Sequence, residues 1–162
     1  MSAIISGCGQ YRYRLERDIQ MDGIVVAFFG VNPSKADAHV EDTTTRKWAG
    51  FCRVMGAKRY IAGNLFAYRS TDVKVLTTIC DPIGHDNDVH IDNIIADADV
   101  IVPCWGNRSK IPKALRWRLD YLTARLFASG KPVKIFGLTA SGDPMHPLML
   151  GYSTPIIDWR KP

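Results

Sequence analysis

The order of the apolar segments constrains this chain more than any other feature. Four short runs, GIVVAFFG (Gly23 to Gly30), RYIAGNLFAY (Arg59 to Tyr68), DVIVPCW (Asp99 to Trp105) and PVKIFGLT (Pro132 to Thr139), are rich in β-branched and aromatic residues and end near Gly, Asn or Pro. Such runs read as buried strands. Between them lie helical patterns. DTTTRKWAGFCRVMGA offers Asp42 or Thr43 as N-cap, places Trp48, Phe51, Cys52 and Met55 on one face, and stops at Gly56. NDVHIDNIIADA spaces Val89, Ile91, Ile94 and Ile95, and IPKALRWRLDYLTARLFASG aligns Leu115, Leu119, Leu122 and Leu126 before Gly130. Strand alternating with helix predicts an α/β fold with a short, mainly parallel central sheet covered by helices on both faces.

At the N-terminus, GQYRYRLERDI alternates Tyr11, Tyr13 and Leu15 with Arg12, Arg14 and Glu16. This pattern predicts a half-exposed antiparallel edge strand, its arginines a solvated face. After the last run, TPIIDW is expected to form a short closing strand, because the surrounding Pro and Gly forbid a long helix.

The 162 residues are expected to form one domain, 1–162, since a single core serves chains of this length. No segment approaches the ~20 apolar residues of a membrane span, so a cytoplasmic protein with no membrane partner is expected. A net charge of +5 favours a polyanion, nucleic acid or nucleotide, as partner without naming it. Cys8, Cys52, Cys80 and Cys104 stand far apart with no C-x-x-C pair, which predicts reduced, mostly buried thiols rather than a disulfide framework, a zinc site or an iron–sulfur centre. No cofactor is expected, and the oligomeric state is left open.

In open parallel sheets the ligand crevice lies beyond the carboxyl ends of the strands. Here those ends carry Asn32 and Ser34; Asn64, Tyr68, Arg69 and Asp72; Trp105, Asn107, Arg108 and Lys110; and Ser141, Asp143 and His146. Asn32, between Gly30 and Pro33, serves either as a turn former or as an amide orienting a water or ligand edge. Asn64 is more informative, because an amide ending an apolar run must find partners, either in a neighbouring loop or in a planar heterocycle. His146 is a surface imidazole or a donor to a developing anion. Asp37, Glu41 and Asp42 are close enough to suggest a cation site, although capping is the default for Asp42. The first turn from Thr43 to Arg46 has backbone N–H groups free to hold an anion. Ser34, Thr44, Arg46, Arg108 and Lys110 are the expected phosphate contacts. Neither G-x-x-x-x-G-K-[ST] nor G-x-G-x-x-G occurs, and GLTASG is not a G-x-S-x-G elbow.

The blocks CGQYRYRLER, GVNPSKADAHVEDTTTR, NLFAYRSTD, DPIGHDND, CWG and DPMHPLML resemble a family of small bacterial and phage proteins grouped as a domain of unknown function. That family is similar, more distantly, to the uracil-DNA glycosylase superfamily, and to its mismatch-specific branch. The resemblance implies a three-layer α/β/α sandwich and a nucleobase N-glycosidase that flips its base and needs no metal. It implies that Asn32, in GVNPS, positions the attacking water and that Asn64 reads the base. His146, in MHPLML, would stabilise the departing base as the second catalytic residue, and Leu148 would fill the vacated stack. Gly30, Phe29, Tyr68, Arg69 and Trp105 complete the implied substrate contacts, with Trp48 a further stacking surface. The MHPLML motif after the last strand lacks the Ser-Pro or Ser-Gly pair that grips DNA phosphate in that superfamily, and Asn at position 32 orients a water without taking its proton. Two other readings stay open: a non-catalytic nucleotide or nucleic-acid binder, and an enzyme acting on free nucleotides.

Overall fold

In the computed structural model, which describes residues 1–34, 36–37 and 40–160, the sheet is built around the most apolar segment of the chain. Strand β3 (Ile24–Gly30) lies parallel to β4 (Ala57–Asn64) on one side and to β5 (Val100–Pro103) on the other. The sheet continues past β4 with β2 (Arg12–Asp18) and β1 (Ser2–Ile5), both antiparallel to their neighbours, in the order β1-β2-β4-β3-β5. The period of two along a strand divides the core between the two faces. Val25, Ala27, Phe29, Ile61 and Ile101 point to α2 (Asn87–Asp97) and α3 (Trp117–Ala128), packing against Ile91, Ile94, Leu119, Leu122 and Leu126. Val26, Phe28, Tyr60, Ala62 and Val102 point to α1 (Thr43–Val54), packing against Trp48, Phe51 and Cys52. The expected α/β sheet with helices on both faces is therefore present.

Several elements differ from expectation. The edge strand is β1, not the GQYRYRLERDI stretch. Ser2–Ile5 folds back through a turn containing Gly9 (φ 73°), so β2 is an interior strand. Arg12, Arg14 and Arg17 are consequently buried, at 3%, 9% and 2% exposure, rather than solvated. Arg14 pairs with Glu16 and Asp97, and Arg17 with Glu41.

The fourth apolar run keeps strand pairing only at β6 (Lys134–Ile135), which joins β7 (Ile157–Asp158) antiparallel. It meets β5 through a single parallel bridge, Val133 to Ile101. Pro132 has no N–H to give the ladder and Gly137 sits at φ 129°, so the run cannot extend. Strand β4 ends at Asn64, after which Leu65 and Phe66 donate to Gly30 and Val31 carbonyls beyond the tip of β3. Val89 of α2 is exposed, and Leu115 lies in a 3-10 turn ahead of α3. Among the described residues no helix is long and apolar enough to cross a membrane.

Candidate functional site

The carboxyl ends of β3, β4 and β5 open into a cavity of about 330 Å³ that also receives the start of α1 and the loop around His146. Asn32, Asn64, His146, Gly30, Trp105, Leu148, Ser34, Thr44 and Lys110 all line it, so the strand-end argument gathers most of the expected residues in one place. Depth is graded. Arg12, Asn64, Trp48 and Trp105 form a floor no more than 4% exposed, whereas Leu148, at 43%, and Lys110 stand at the rim.

Asn64 closes β4 because β3 ends beside it in Gly30. A Cβ at Gly30 would lie 3.1 Å from Asn64 Nδ2 and against the Trp48 ring, so glycine keeps this corner open. Asn64 Oδ1 accepts from Arg12 Nη2 at 3.2 Å, while its backbone carbonyl accepts from the buried Asn87 amide. That arginine fixes the amide's orientation: Nδ2 faces the Gly30 corner and donates to no described group.

Asn32 is held the opposite way. Its Nδ2 donates to the Ser70 carbonyl at 2.7 Å and more weakly to Pro33, leaving Oδ1 as its available acceptor. His146 caps the 3-10 turn Pro147–Met149, its Nδ1 accepting from Leu148 N at 3.2 Å. The acceptor role puts the ring proton on Nε2. Burial and the nearby Lys110 charge lower the imidazole's pKa, with Asp42 opposing them, so His146 is a neutral donor at neutral pH. Gly106, at φ 79°, carries the backbone past His146 Cβ in a conformation that favours glycine.

Helix α1 begins here because Asp42 and Thr45 form a reciprocal cap: Asp42 Oδ1 accepts from Thr45 N, and Thr45 Oγ1 from Asp42 N, both at 2.9 Å. Capping, rather than cation binding, is thus the observed role of Asp42. Glu41 faces Arg17, and the described residues contain no cluster of His, Cys, Asp and Glu suited to a metal ion.

Other expected site residues lie outside the cavity lining. Phe29 is fully buried in the apolar layer against α2 and does not line the cavity; strand alternation sends Phe28 to the opposite face, where it stacks on the cavity residue Trp48 at 5.4 Å. Tyr68 and Arg69 line a separate, more open groove with Gly9, Gln10, Ser70 and Thr71 that shares Ser34 with the cavity among the described residues. Arg46 points to solvent. Arg108 is committed to the buried Asp143 at 2.9 Å and to Asp120, so it acts as a loop fastener.

Arg12 is the residue that sequence patterning missed. The available signal was SAII followed by a glycine-containing turn, a hairpin that places another strand outside β2 and so turns its arginines inward. Arg12 Nη1 donates to the Ala36 carbonyl at 2.7 Å, Nη2 to Asn64, and Nε to no described group. Burial, offset in part by Asp42, lowers its pKa to about 10, yet it remains a cation at neutral pH. No described carboxylate forms an ion pair with it.

The fold is thus that of an α/β protein with a cavity of small-ligand size at the ends of its parallel strands. Residues 12–148 match the model of a family of proteins of unknown function, DUF1643, and the chain belongs to that family. No curated protein and no solved structure matches the chain.

Proposed function

We propose that the cavity binds the base of a nucleotide and that the protein hydrolyses the base's N-glycosidic bond. The observation that carries this reading is Asn64: an amide on the floor of the cavity, which Trp48 and Trp105 also line, with Nδ2 free to donate to a ring carbonyl. The indoles offer the flat apolar surface that a planar heterocycle needs, and a volume of about 330 Å³ suits a small ligand.

The reaction follows from the remaining groups. Asn32 Oδ1 accepts a hydrogen bond from a water and directs its oxygen at the anomeric carbon. As the new C–O bond forms, the C–N bond breaks and its electron pair leaves with the base. Neutral His146 donates from Nε2 to the negative charge that develops there, in a site where burial strengthens the interaction. The water's surplus proton passes to solvent or to the released base. Because an amide takes no proton, this arrangement relies on leaving-group stabilisation and is expected to be slow. The same fact about Asn32 favours, as a second reading, a protein that binds the base without cleaving it.

Base release from DNA carrying uracil, hypoxanthine or hydroxymethylated bases, and from nucleoside monophosphates, tests both. Hydrolysis predicts release of one base class by the wild type, about a hundredfold or more slower in His146→Gln. Binding only predicts saturable retention of the ligand with no release. Neither release nor retention would defeat the assignment.

A further inference from the structure

The floor of the cavity holds a cation that forms no ion pair with a described carboxylate, Asp42 acting on it only at a distance. Arg12 is 3% exposed, and among the described residues its guanidinium donates to two neutral oxygens, Ala36 O and Asn64 Oδ1, leaving Nε and more than half of its N–H donors without a described partner. A buried charge in this condition is costly unless something pairs with it. The first turn of the twelve-residue helix α1 faces the same space through Thr44. Asp42 takes Thr45 N, but Thr43 and Thr44 have no intrahelical acceptor for their N–H groups. Lys110 adds a second positive charge at the rim, and Asp42 is the one carboxylate among the described lining residues.

We propose that this floor is a site for a terminal phosphate, the dianionic end of a phosphomonoester, held by Arg12 and the first turn of α1. A flat carboxylate offers two oxygens, fewer than the donors that the guanidinium, the helix start and Thr44 present from different directions; a tetrahedral phosphate end offers three. An internal phosphodiester needs a path out on both sides, which Arg12, Asn64 and Trp48 close off. The phosphate therefore lies against Arg12 and the first turn of α1, and the base beside it, against Asn64 Nδ2, Gly30 and Trp105. The identity of the group carrying the phosphate rests on the nucleotide reading above; the phosphate site itself does not.

The test is a titration, followed by tryptophan fluorescence and by ligand-induced change in melting temperature, with inorganic phosphate, a nucleoside, its monophosphate, and an oligonucleotide with and without a terminal phosphate. The monophosphate is expected to bind about tenfold or more tightly than the nucleoside, the size of one charge-assisted bond. Arg12→Met should erase that difference, whatever it does to the nucleoside's own affinity through Asn64. Asp42→Asn keeps an N-cap but removes the opposing charge, and should tighten phosphate binding several-fold, a gain that misfolding cannot imitate. If Arg12→Met fails to fold, Asp42→Asn decides alone. Preference for the phosphorylated oligonucleotide over the mononucleotide would place the terminal phosphate on a strand end and still support the site. Equal affinity for nucleoside and monophosphate overturns the phosphate site and leaves the base reading standing. Binding of phosphate and monophosphate alike, with no contribution from the base, does the reverse. Tighter binding of the unphosphorylated oligonucleotide, or weaker phosphate binding by Asp42→Asn, overturns the proposal.

Discussion

Arg12 decides which way the Asn64 amide points. Its Nη2 takes Oδ1, so the floor presents Nδ2 as a donor, and the two residues act as a unit whose parts separate by substitution. Asn64→Ala leaves the guanidinium with one acceptor fewer, and urea unfolding should show a loss of about 1–3 kcal/mol. Asn64→Asp is nearly isosteric and gives Arg12 a carboxylate in direct contact. Its urea midpoint should rise at neutral pH while anion binding disappears, a separation of stability from function typical of residues kept for a site. His146 supplies a pH signature. Its pKa in the fold lies below the ordinary 6.5, so as pH falls the unfolded chain takes up the proton first. The stability it contributes is complete above about pH 6.5 and is lost as pH falls through the lowered folded value. His90, also lowered by burial, acts in the same direction. Melting temperature should therefore fall between pH 7 and pH 5, and His146→Gln should flatten part of that fall, with His90 accounting for a remainder.

At the scale of elements, helix α1 and strand β4 do the positioning. Asp42→Ala removes the reciprocal cap and should cost about 1 kcal/mol in unfolding experiments. Gly63→Ala sets a methyl 2.8 Å from the Phe29 ring and 2.9 Å from Ile94 Cδ1, which should cost about 1–3 kcal/mol by crowding β4 against α2. These elements also show what a sequence discloses. The strand at Ile24–Gly30, the presence but not the end of the strand at Ala57–Asn64, a cap at Asp42 or Thr43 and the stop at Gly56 were legible because periodicity, capping and glycine chemistry are local signals. The face on which Phe29 lies was not, since a wholly apolar strand carries no alternation to choose between Phe28 and Phe29. Nor was the burial of Arg12 legible within GQYRYRLERDI itself, because it depends on β1 pairing outside β2, which only the SAII segment ahead of the glycine turn signals. Arg108 looked like a phosphate ligand for the same reason: only the fold brings Asp143 to it.

At the scale of the molecule, the sheet separates two apolar layers, and the cavity forms where both run out at the carboxyl ends of the parallel strands. The thiols report this layering. Cys52 and Cys104 are buried, and burial pushes both thiols up to about 12, whereas Cys8 and Cys80 are exposed. The expectation of mostly buried thiols thus holds for two of the four. A thiol reagent should titrate Cys8 and Cys80 in the native protein and all four cysteines after denaturation. The four tryptophans give the most direct view of the site, since Trp48 and Trp105 line the cavity and the exposed Trp117 lies on α3, outside its lining. The decisive measurement is the indole N–H spectrum of ¹⁵N-labelled protein during titration with a series of nucleoside monophosphates. A nucleotide site predicts saturable shifts of Trp48 and Trp105 with Trp117 unmoved, lost in Asn64→Ala. Shifts confined to Trp117, or none with any base, would contradict it.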